Sequence, residues 1–61
     1  MIKICTMLIS PEILKTKEIE MEALGVIYEQ VDKRTFIIYG DDENVRADLV
    51  KMFPYKDRII Y

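Results

Sequence analysis

Ile2-Lys-Ile-Cys-Thr-Met-Leu-Ile9, followed at once by Ser10-Pro11-Glu12, is the stretch that decides the fold of this chain. Its first eight residues are apolar except for Lys3 and Thr6. A short apolar run of this kind, closed by a turn signal, reads as a strand flanked on both sides rather than an edge. Ser10 is suited to accept a hydrogen bond as a helix N-cap, Pro11 fits the first helical position, and Glu12 favours the positive end of the helix dipole. The period then changes from two to 3.6: Ile13, Leu14, Met21 and Leu24 share one face of a helix expected over Pro11 to Leu24. Gly25 supplies a left-handed C-cap.

The same alternation repeats downstream. Val26 to Val31 reads as a strand carrying Glu29 and Gln30, polar enough for a sheet edge. Asp32-Lys33-Arg34 links it to Thr35-Phe-Ile-Ile-Tyr39, an uncharged strand suited to the sheet centre, so the two should form a hairpin. Asp41 or Asp42 caps a second helix over Asp42 to Phe53, with Val45, Leu49, Met52 and Phe53 inward and Pro54 as the stop. Arg58 to Tyr61 is short enough for a last edge strand.

The β-α-β-β-α-β order resembles that of ferredoxin-like domains. The resemblance implies an α+β fold in which a four-stranded antiparallel sheet, in the order 4-1-3-2, carries both helices on one face. That order places strands one and three centrally, and these are the two most apolar strands. A second resemblance covers the first half only. Ile2 to Asp32, with Ser10-Pro11-Glu12-Ile13 after the first strand, then Thr16-Lys17 and Leu24-Gly25-Val26-Ile27, looks like the opening βαβ unit of a glutaredoxin. That family carries Cys-Pro-x-Cys where this chain has Ser10, Pro11, Glu12 and Ile13. Both redox cysteines are missing, so thiol-disulfide exchange does not carry over.

The 61 residues form a single domain, 1–61, of minimal size. A chain this short buries only about 60% of its unfolded surface and folds with a margin of a few kcal/mol. With one cysteine and no histidine, neither an internal disulfide nor a zinc site is expected. No cofactor is expected. The net charge of −2 argues against a nucleic-acid footprint, and so against base stacking on Tyr28, Tyr39, Tyr55 and Tyr61. No apolar run approaches the ~20 residues needed to span a bilayer, and no secretory signal is expected. The cytoplasm is the expected location.

If Ile2, Ile4, Leu8, Phe36 and Ile38 face the helices, then Lys3, Cys5, Met7, Ile9, Thr35, Ile37 and Tyr39 line an open sheet face. The register admits inversion, but either choice leaves large apolar groups uncovered. Cys5, Met7, Ile37 and Tyr39 are therefore the candidate partner-binding residues. The expected role is a non-enzymatic protein-binding or regulatory module using that face or an edge strand, with a second copy as first partner and another protein as the next. So compact a chain suits a small accessory or phage-type inhibitor protein. The alternatives are a small-molecule-binding domain and a degenerate glutaredoxin-like protein without redox activity.

Three features bear on those alternatives. Lys17 falls in the middle of the first helix's apolar face. It either packs its stem inward with the ammonium at the edge or serves a ligand. Glu18 and Glu22 share the outer face of that helix, a solvated surface or an acidic docking patch for a basic partner. Gly40-Asp-Asp-Glu-Asn44 lacks calcium-loop spacing and phosphate-loop glycines, and reads as helix capping.

Overall fold

The computed structural model describes residues 1–53 and 59–60. Strand β1 spans Ile2–Leu8, helices α1 and α2 span Pro11–Lys15 and Glu18–Ala23, and β2 and β3 span Ile27–Asp32 and Thr35–Gly40. Helix α3 covers Val45–Met52 and strand β4 covers Ile59–Ile60. The fold is mixed α+β, with one four-stranded antiparallel sheet in the order β2-β3-β1-β4. Counted from the β4 edge, that row reads 4-1-3-2. Pro54, Tyr55, Arg58 and Tyr61 lie outside the described residues.

The first helix departs from expectation by breaking in two. Thr16 Oγ1 donates to the Ile13 carbonyl at 2.6 Å, and the Thr16 amide is shared between the Glu12 and Ile13 carbonyls. Such back-bonding competes with the regular i−4 ladder. The Lys17 amide then bonds Leu14 only three residues back, with φ −114° and ψ 9°. A continuous helix would aim Lys17 into the core between Leu14 and Met21. With the break, Leu14 and Met21 are both buried, while the Lys17 ammonium reaches Glu20 at 3.6 Å.

The helix ends follow local chemistry. Ser10 Oγ accepts from the Ile13 amide at 3.5 Å, with Pro11 in the first turn. At the far end, Gly25 adopts φ +76°. The Val26 amide bonds the Met21 carbonyl and the Gly25 amide bonds that of Glu22, which is the Schellman pattern. Before α3, the Asp42 carboxylate accepts from the Asn44 amide at 2.9 Å, so the regular helix starts at Val45 rather than Asp42.

Two bulges shape the sheet. In β1, Lys3 lies opposite Tyr39 and Cys5 opposite Ile38, which leaves Ile4 as the extra residue. In β2, Val31 is extra between Gln30 opposite Phe36 and Asp32 opposite Thr35. The two-residue loop Lys33-Arg34 has no positive φ, so it is not a type I′ turn. The Val31 bulge sits where the strands must absorb that mismatched twist.

The core is wholly apolar among the described residues. Ile4, Cys5, Met7 and Ile9 join Phe36 and Ile38 from the sheet, and Leu14, Met21 and Leu49 come from the three helices. Phe53 and Val26 complete it, with Val45, Met52, Ile13 and Leu24 packed at its margin. In β3 one phase carries the buried residues, in β1 the bulge adds Ile4 to the Cys5-Met7 phase, and residues of all three helices join the same core.

Candidate functional site

Antiparallel pairing fixes which side chains share the other face. Glu29, Ile37, Thr6 and Ile60 form a row across all four strands. Ile27, Tyr39 and Lys3 flank it on one side, and Thr35 and Leu8 on the other. None of these residues is buried. Ile27 and Ile60 are about half exposed, as is Val31 at the bulge, while Leu8, Ile37 and Tyr39 are half-buried by their strand neighbours. Tyr39 Oη donates to Glu29 Oε1 at 3.3 Å along this surface. No described helix covers it.

The expected binding set therefore divides. Ile37 and Tyr39 stand on the open face. Cys5 and Met7 do not: both are 0% exposed, opposite Ile38 and Phe36 beneath the helices. Ile9, expected beside them, is also buried, whereas Ile2, opposite Gly40 on the helix-facing phase as expected, is about half exposed at the start of the strand. The cause is the extra residue at Ile4. It lets Ile4 and the Cys5-Met7-Ile9 set enter the core together, although they belong to opposite phases of a regular strand. Sequence reasoning missed Ile27, Leu8, Val31 and Ile60. For Ile27 and Val31 the signal is weak, since Glu29 interrupts their phase and Tyr28 adds an aromatic group to the other.

Cys5 is a free thiol with no access to solvent. Burial pushes its pKa up, outweighing the opposing pull of Arg46 and Lys3. A protonated, covered thiol is a core hydrophobe rather than a nucleophile.

The second candidate surface lies at the opposite side of the sheet. Glu18 and Glu22 on α2 line a surface groove of about 420 Å³ with Met21, Val26, Ile27 and Tyr28. Tyr28 Oη donates to Glu18 Oε1 at 2.6 Å, and its ring meets that of Phe36 edge to face at 5.6 Å. The bond to the carboxylate, with smaller contributions from desolvation and the Glu18 charge, raises the Tyr28 pKa above its ordinary value. Lys17 reaches Glu20 with its side chain 37% exposed, the arrangement expected of a stem packed inward with its charge at the edge.

Among the described residues, no group of three or more His, Cys, Asp or Glu side chains could hold a metal. No described helix is long and apolar enough to cross a membrane. No family profile, curated protein or solved structure matches the chain.

Proposed function

We propose that this chain is a ferredoxin-like, non-enzymatic protein-binding module that buries its open sheet face against a second copy of itself. The observation that carries the reading is the uncovered row through Ile37 and Ile60, bordered by Ile27, Val31, Leu8 and Tyr39. An uncovered sheet face carrying this many apolar groups, interspersed with Lys3, Thr6, Glu29 and Thr35, is an interface signal on so small a domain, and its burial adds stability that a minimal core lacks. A second copy is favoured by charge. Lys3 on β1 and Glu29 on β2 carry opposite signs, and midway between them lies β3 at Ile37 and Tyr39. A two-fold axis there exchanges the two charges, so each Lys3 meets the other copy's Glu29 in a self-complementary contact.

Sedimentation velocity over a concentration series tests this, with wild type beside Ile37→Glu and Tyr39→Glu. Wild type should associate as concentration rises. Each variant should remain folded by circular dichroism and lose at least about 100-fold in association, because an unpaired charge in a buried interface costs about 3 kcal/mol or more. A wild type that stays monomeric throughout would overturn the reading. Met7→Glu is not a substitute, since it places the charge in the core.

A further inference from the structure

We propose that the groove between α2 and β2 receives a lysine or arginine side chain presented by a basic protein partner. The groove combines three features that together specify such a group. Its floor is apolar, formed by Met21 and Val26, which are 2% and 6% exposed. One wall is the Tyr28 ring, steadied by its edge-to-face contact with Phe36. The rim carries Glu18 and Glu22, one helical turn apart on α2, and among the described residues no lysine or arginine lines it. The lysine at the start of this helix, Lys17, is engaged with Glu20 instead.

Each candidate occupant meets this arrangement differently. An anion is repelled by the two carboxylates. A purely apolar group fills the floor but strips water from the rim without replacing it. A long side chain with an alkyl stem and a cationic head satisfies both parts, with the stem on Met21, Val26 and the Tyr28 ring and the head between the carboxylates. The Tyr28 hydroxyl already holds Glu18 in place, so one carboxylate needs no ordering when the cation arrives. Tyr28 belongs to the helix-covered side of β2, and Ile27, which borders the open face, also lines the groove, so the two surfaces meet at that residue.

Titration of the isotope-labelled full chain by nuclear magnetic resonance tests the proposal. The probe is a blocked Gly-Arg-Gly tripeptide, compared with the same peptide bearing citrulline, the uncharged isostere of arginine. The arginine peptide should give saturable shifts confined to amides of residues 18–28. Binding should weaken at least about fivefold for citrulline, for the Glu18→Gln/Glu22→Gln double variant, and in about 0.5 M salt. Both glutamates are exposed, so the variant's spectrum should superimpose on that of wild type outside residues 18–28, where loss of the Tyr28–Glu18 bond is felt. Equal shifts from the two peptides, shifts centred elsewhere, undiminished binding by the double variant, or no saturable shift up to about 10 mM peptide would each overturn it.

Discussion

Arg46 Nε donates to the carbonyl oxygen of Ile4 at 2.9 Å, which ties α3 to the one residue of β1 that the bulge leaves without a partner on β3. The extra residue in a bulge has lost its place in the ladder, and a partly buried carbonyl without a donor is costly. The guanidinium supplies that donor across 42 residues of sequence. The bond thus helps hold the register that places Cys5 and Met7 in the core.

Removing the donor should therefore destabilise the fold more than an ordinary surface substitution does. Arg46→Ala is expected to cost about 1.5–3 kcal/mol, the range for a hydrogen bond from a charged group. It should also speed hydrogen exchange in the first half of β1. Arg46→Lys should recover part of the loss, since an ammonium can donate but lacks the planar fork. Urea midpoints provide the measurement. An alanine variant within about 0.5 kcal/mol of wild type, the surface norm, would show the bulge to be held by packing alone.

The two glycines separate two kinds of strain. A Cβ on Gly25 would touch nothing within 4 Å, so its φ of +76° is the whole obstacle to substitution. Gly25→Ala should cost about 1–2 kcal/mol, and Gly25→Asn distinctly less, because asparagine tolerates the left-handed region. At Gly40 the obstacle is space: a Cβ would sit 3.1 Å from Val26 Cγ1 and 3.4 Å from Ile4 Cγ1. Gly40→Ala should cost about 1–3 kcal/mol by overpacking. Combined with Val26→Ala, it should cost less than the sum of the two single changes, because the removed methyls vacate the clash. Strict additivity in thermal or urea unfolding would place the strain elsewhere.

How much of this was legible in the sequence depended on whether a residue's role is local. Ser10, Pro11 and Gly25 act through bonds to residues a few positions away, and each end of the first helical region is where its chemistry placed it. The apolar richness of Ile2–Leu8 and Thr35–Gly40 likewise marked the two strands that stand in the middle of the sheet. The facing of β1 was not legible, because Ile2 and Ile4 are as apolar as Cys5, Met7 and Ile9. Two competing alternations of equal strength leave the phase open. The bulge that reconciles them is bonded by Arg46, far along the chain. The break at Thr16 was hidden for a related reason. A threonine in a helical pattern is ordinary, and only the cost of burying Lys17 makes the break worthwhile. For the candidate surfaces, spacing put Ile37 and Tyr39 on one strand face and Glu18 and Glu22 on one helix face, but it did not say which side of the sheet Ile37 and Tyr39 take. The groove was not legible, because Tyr28 comes to Glu18 only once β2 folds back beside α2.

That Tyr28–Glu18 bond has a pH signature whose sign can be worked out. The carboxylate accepts the phenolic proton and so favours the protonated form, which raises the Tyr28 pKa in the folded chain. A group whose folded pKa lies above its unfolded value contributes stability that is fully present below the unfolded pKa, about 10 for tyrosine. The contribution disappears as pH rises through the folded value. Wild-type stability should therefore fall more steeply above about pH 10 than that of Tyr28→Phe, which has no proton to lose there. Replacing the carboxylate in Glu18→Gln should return Tyr28 toward ordinary titration. The difference between wild-type and Tyr28→Phe ultraviolet titrations isolates this one phenol among the four tyrosines. A Tyr28 curve unchanged by Glu18→Gln would mean that the carboxylate does not hold the proton in solution, and the groove would then lose its pre-oriented acceptor.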